Sequence, residues 1–159
     1  MNRLLRISLF TAFSLVSLSG YAQRDWDYEW SQHNIAFTLA EDFKVLTNTG
    51  DEFTAKGDGM DFGIFPFSDN TIDASDIVAY TVAVAESLEL EEVDDADVLE
   101  LNGLEGAYVE GYKQGLRVVL LGFIDPVSAT NFFAVITFGD DDPVAEDEAV
   151  RMITSFRKK

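Results

Sequence analysis

Apolar and polar residues alternate with a period of two along much of this 159-residue chain. In Asp25-Trp26-Asp27-Tyr28-Glu29-Trp30 the alternation is strict, and it puts Trp26, Tyr28 and Trp30 on one face of an extended segment. Residues 35–39 keep the pattern, with Ile35, Phe37 and Leu39 on one side, and residues 43–47 read as another strand before the turn signal Asn48-Thr49-Gly50-Asp51. Residues 52–56 and 62–67 predict a hairpin about Gly57-Asp58-Gly59. Pro66 marks an edge position or the end of that strand, because proline has no N–H to give to a ladder. Four strands then follow in quick order: Asp97–Leu101, residues 104–112, Leu116–Ile124 and residues 130–138. Asn102-Gly103, Lys113-Gln114-Gly115 and Asp125-Pro126-Val127-Ser128 are the turns between them. The last two strands are apolar on both faces. Val118 and Leu120 point opposite to Val119 and Leu121, while Phe132, Ala134, Ile136 and Phe138 point opposite to Phe133 and Val135. A strand of that kind is central and needs a cover on each side.

Two segments break the period of two. Residues 73–90 hold neither Gly nor Pro, and Ile77, Thr81, Val84 and Leu88 recur at helical spacing with Tyr80 beside them. Their β-branched content argues for a strand, but their length argues for a helix, with Asp73 or Ser75 as its cap. The closing segment is better signalled. Asp142 is placed to cap, Pro143 occupies the first helical position, and Ala145, Ala149, Met152, Ile153 and Phe156 form the apolar stripe. Glu146, Asp147 and Glu148 sit near the positive end of the helix dipole. Arg151, Arg157, Lys158 and Lys159 sit near its negative end, and Asp147 with Arg151 makes an i,i+4 pair. The sum is an α+β fold: a mostly antiparallel sheet of about six to seven strands covered by helices on both faces, a three-layer α-β-α sandwich.

This order of elements resembles the PsbP-like family, which takes in small bacterial exported proteins such as the DcrB group. The matching features are the strand over 35–39 with the corner Glu41-Asp42-Phe43, the middle helix over 73–90, the strand meander, and the ending Met152-Ile153-Thr154-Ser155-Phe156-Arg157. The corner departs from the family, since Ala40-Glu41 stands where a proline is common. The resemblance spans nearly all of residues 31–159. It implies a non-enzymatic accessory or binding role and carries over no functional residue.

The N-terminus changes the picture of where the domain works. Arg3 and Arg6 precede an uncharged apolar run over residues 7–18, and Gly20-Tyr21-Ala22 puts small residues at the two positions a signal peptidase reads. That run falls short of the roughly 20 residues a membrane span needs. Residues 1–22 are therefore expected to be a signal peptide cut between Ala22 and Gln23. One acidic domain over 23–159 would remain, periplasmic or secreted and with no membrane span.

Charge and composition narrow the function. Acidic residues number 29 against 11 basic ones, for a net charge of −18, which repels nucleic acid and anionic lipid surfaces. Cysteine is absent, so thiol catalysis, Cys-ligated zinc and iron–sulfur clusters are excluded. His33 is the single histidine, and no Gly-x-Ser-x-Gly elbow accompanies it. Gly57, Gly59 and Gly63 have the wrong spacing for a dinucleotide loop and precede a strand. The acid clusters are Asp51/Glu52/Asp58/Asp61 and the segments 91–97 and 140–148, and none follows the EF-hand pattern.

These observations point to a non-catalytic exported accessory or binding protein with no cofactor and no bound metal. Its partner would be an unknown protein or small ligand. Trp26, Tyr28 and Trp30 are the candidate partner-binding residues, because aromatics among acids make good anchors; the alternative is that they pack on the domain. Two rival functions remain, a calcium-responsive acidic protein and a small hydrolase working through paired carboxylates.

Overall fold

The computed structural model describes residues 25–57, 59–67, 72, 75–125 and 131–159. The leader over 1–22, the Asp73 cap and most of the turn after Asp125 lie outside the described residues. The chain runs β1 (Asp25–Trp30), β2 (Ile35–Ala40), β3 (Lys44–Asn48), β4 (Phe53–Gly57), β5 (Met60–Phe67), α1 (Ile77–Ser87), β6 (Asp97–Leu101), β7 (Leu104–Lys113), β8 (Leu116–Ile124), β9 (Asn131–Gly139), α2 (Pro143–Ser155) and β10 (Arg157–Lys158). Two sheets form, one of three strands in the order β1-β2-β10 and one of seven in the order β3-β4-β5-β9-β8-β7-β6. Every pairing between these strands is antiparallel.

Local chemistry sets the turns. Asn102 and Gly103 both take positive φ, 50° and 85°, as do Gln114 and Gly115 at 53° and 79°. Positive φ at both central residues is the type I′ geometry that matches the twist of a two-residue hairpin. Pro66 lies beyond Phe53↔Ile64, where β4 stops, so on that side of β5 no described strand needs its missing N–H. Asp142 caps α2 by accepting bonds from Val144 N at 3.0 Å and Ala145 N at 3.1 Å. The N-cap of α1 is Asp76.

The large sheet has an inner and an outer face. Phe53, Phe62, Ile64, Leu121, Phe123, Phe132 and Ile136 point inward, where they meet Trp30, Ile35, Phe37 and Leu39 of the small sheet and Ala149, Met152 and Phe156 of α2. Phe156 is the hub, with ring centroids 5.5 Å from Phe37, 5.4 Å from Phe123 and 5.6 Å from Phe132. Each such side chain contributes about 1.5–3 kcal/mol by leaving water. On the outer face, Ile77, Thr81 and Ala85 of α1 lie one helical turn apart and are all buried. Ile77 clusters with Ala107 and Ile124, and Ala85 with Val109 and Leu120. Gly122 makes this docking possible, since a Cβ there would collide with the Thr81 hydroxyl.

The expected three-layer sandwich is overturned. The inner face is covered chiefly by a second sheet, with α2 beside it, and not by a helical layer. The reason lies in β1 and β2: they pair with each other and with β10, and together present enough apolar surface to serve as a cover. Among the described residues the outer face carries a single helix, eleven residues long, chiefly over β7 and β8. The basic tail also departs from expectation. The helix ends at Ser155, and Arg157 and Lys158 pair with Ala36 and Ile35 as a strand.

Candidate functional site

The three aromatic residues of β1 share a face but not an environment. Trp26 is 52% exposed, Tyr28 is half-buried, and Trp30 is fully buried. Tyr28 stacks on Phe37 with centroids 6.4 Å apart and meets Phe53 edge-on at 6.1 Å. The Trp30 indole N–H donates to Thr49 O, and its ring lies 4.0 Å from that of His33. His33 Nε2 is 2.7 Å from Gly50 O, so the lone histidine and Trp30 together hold the turn between β3 and β4. Trp30 thus offers no surface to a partner, and Trp26 alone is open.

A polar cluster on β7 and β8 is tied up internally. Arg117 bonds Glu110 at 2.6 Å and Glu146 of α2 at 3.2 Å, and its guanidinium lies 5.6 Å from the Phe138 ring centre. Burial pulls the Arg117 pKa down, but these carboxylates more than offset it and the pKa ends above its ordinary value. The Tyr108 hydroxyl donates to Asp97 at 3.3 Å and that of Tyr112 to Asp140 at 3.1 Å. Burial, then Asp97 and Glu110, push the Tyr108 pKa up to about 12. Burial and the bond to Asp140 raise that of Tyr112 as well. Both phenols therefore stay protonated at neutral pH, as donors and not as bases or nucleophiles. Among the described residues, no three His, Asp or Glu side chains gather closely enough to hold a metal ion.

The open surface lies on the outer face beside α1. A helix is roughly 10–12 Å wide with its side chains and strands are about 4.8 Å apart, so one helix covers two to three strands. α1 lies on β7 and β8 and reaches β9 where Ala85 and Tyr80 pack on Phe133, which leaves the outer side of β3, β4 and much of β5 uncovered by any described helix. Strand register places Asp61, Gly63, Phe65 and Phe67 of β5 on this side, against Thr137, Val135, Phe133 and Asn131 of β9. Phe65 is 39% exposed and Tyr80, at the edge of α1, 36%. The Phe65 ring folds back over the bare backbone of Gly63, where a Cβ would meet it at 2.8 Å. Phe67, Phe133 and Tyr80 continue the aromatic floor, with centroids 4.6 Å and 5.9 Å from Phe133. Lys44 of β3 and Lys56 of β4 are directly opposed on the same side, and Lys56 pairs with Asp61 at 3.2 Å.

This fold is shared with proteins of known structure. LpqN of Mycobacterium tuberculosis, described as involved in cell envelope biogenesis, matches 86% of this chain and 91% of its own, at 13% identity and a TM-score of 0.52. A Bacteroides thetaiotaomicron protein matches with a TM-score of 0.53 at 13% identity, over 86% of this chain and 48% of that one, so this chain spans about half its length. A Pseudomonas aeruginosa protein of unknown function, a putative regulator, matches at 14% identity and a TM-score of 0.49, over 82% and 94% of the two chains. No family model and no curated protein matches the sequence. The likeness is one of fold, and none of these structures carries the PsbP-like name.

The open half-face differs from the expected helical cover because α1 is too short and narrow to span the whole outer side. A signal was there. On β5 the outer positions run Asp61, Gly63, Phe65, Phe67, and a charge followed by a residue with no side chain does not suit a fully covered face.

Proposed function

We propose that this chain is an exported, non-catalytic accessory protein that binds its partner across the open half-face of the large sheet. The observation that carries this reading is the pair of open aromatic rings Phe65 and Tyr80, with half-buried Phe67 against Tyr80. Aromatic side chains of this kind on a rigid sheet anchor a partner with little loss of conformational freedom. In the Tyr108–Arg117 cluster the phenols stay protonated and are bonded to Asp97 and Asp140, while Arg117 holds Glu110 and Glu146, and this mutual engagement supports a binding role over a catalytic one. The fold shared with LpqN, a protein of cell envelope biogenesis, supports a place in the envelope.

A photoreactive phenylalanine analogue at position 65, compared with one at Leu116, tests the reading. Leu116 is a similar 42% exposed and opens β8 just after the turn from β7. In the producing cell, illumination should give a discrete adduct from position 65 that Tyr80→Ser suppresses. Equal labelling from both positions, or no adduct at all, would remove the half-face as the binding surface.

A further inference from the structure

The open half-face differs in charge from the rest of the molecule. Acids outnumber bases 29 to 11 over the whole chain, yet among the described residues the charged side chains that strand register places on this surface are Lys44, Lys56 and Asp61. Lys44 and Lys56 face each other across neighbouring strands, an arrangement that is unfavourable when nothing negative lies between. Asp61 compensates only one of them, through its 3.2 Å pair with Lys56. Among the described residues, Lys44 is the one cation without an ion pair or hydrogen bond. Exposed Asp42 and Glu41 stand two and three residues before Lys44, and the acids farther off do little to oppose an anion here, because physiological salt screens exposed charges beyond about 8 Å.

Charge gives way to apolar surface along the same strand. Asp61 and Phe65 are four residues apart on β5, about 13 Å at the usual rise, and Gly63 with Val135 lies between. The half-face is thus cationic at one end and aromatic from Phe65 to Tyr80. We infer that it takes a free medium-chain carboxylate, with the carboxylate against Lys44 and Lys56 and the alkyl chain lying along Phe65 toward Tyr80. This rests on the reading of the half-face as the binding surface.

Decanoate and 1-decanol, each titrated into the purified protein below any micelle-forming concentration, separate the possibilities by amide NMR shifts and calorimetry. Decanoate should shift the amides of β4 and β5 saturably and bind at least fivefold tighter than decanol. Lys44→Gln should bring decanoate down to the level of decanol, while Lys159→Gln, distant and paired with Glu29, leaves it unchanged. Phe65→Ser should weaken both ligands. Equal affinity for the two ligands, indifference to Lys44→Gln, or shifts centred elsewhere would overturn the inference. If decanoate fails to bind while position 65 still gives its adduct, the carboxylate is wrong and the broader reading stands. Loss of both removes the two together.

Discussion

Gly122→Ala should destabilise the protein by lifting α1 from the sheet. The added Cβ would collide with the Thr81 hydroxyl oxygen and would stand 2.9 Å from Ile77 Cδ1 and 3.0 Å from Phe133 Cε1. The two apolar neighbours end in flexible tips that can give way. Thr81 cannot: it is fully buried, and its hydroxyl donates to Ile77 O at 2.8 Å. Relief must come from the helix moving outward, which uncovers part of the Ala85, Val109 and Leu120 cluster. Overpacking of this kind costs about 1–3 kcal/mol. For a domain of this size that corresponds to a fall in Tm of roughly 3–12 °C. Urea unfolding of the single variants and of the double variant with Thr81→Ala completes a mutant cycle. The double variant should recover stability relative to the sum of the singles, because removing the hydroxyl removes the obstacle. A Gly122→Ala change within about 0.5 kcal/mol of wild type, or strict additivity with Thr81→Ala, would refute the reasoning.

Three other outcomes follow from residues already described. Trp30→Ala should cost about 3–5 kcal/mol by urea unfolding, since Trp30 is wholly buried, whereas Trp26→Ser should change stability by less than about 0.5 kcal/mol. Tyr108 ionises near 12 in the fold against 10 for the free phenol, so its contribution is intact below pH 10 and is lost between pH 10 and 12. Alkaline unfolding followed by circular dichroism should therefore set in at higher pH for Tyr108→Phe, and an unchanged onset would count against that assignment. Mass spectrometry of the protein recovered from its producing cell should find Gln23 at the N-terminus, and recovery with residues 1–22 attached would dismiss the expected export signal.

Much of the strand pattern was legible because each signal is local. The Asn102-Gly103 hairpin, the span Leu116–Ile124 and the Asp142 cap depend on residues within a few positions of one another, and all three form as the residues suggest. The α2 stripe was also legible, except that Glu148 joins its buried side. What could not be read was which element covers which face. Apolar character in Val119 or Phe132 demands a partner but is silent on whether a helix or a sheet supplies it. The strict alternation of β1 was legible too, but not its gradient of burial. Trp30 and Trp26 look alike in sequence and differ only because Trp30 sits over the β3–β4 turn while Trp26 lies toward the opposite end of the strand.

The tail shows how the scarcity of cations shapes the surface. Arg157 holds Asp27 of β1 at 3.1 Å, Lys159 holds Glu29 of the same strand, and Lys158 holds the buried Asp125 at the end of β8. The two exposed pairs, made by Arg157 and Lys159, are each worth only about 0–1 kcal/mol, yet with the pair to buried Asp125 they fix one short strand against β2 and tie the edge strand β1 to the body. Arg117 and Arg151 are engaged in the same way, binding α2 to β7 and to β1. With so few cations, almost all are committed to holding elements together, and the acids left over make the surface negative. A lysine left outside this scheme, directly opposite another lysine, is therefore hard to explain as part of the framework. Its position at the rim of the uncovered aromatic floor is what makes charge, and not apolar surface alone, the feature that can select what binds there.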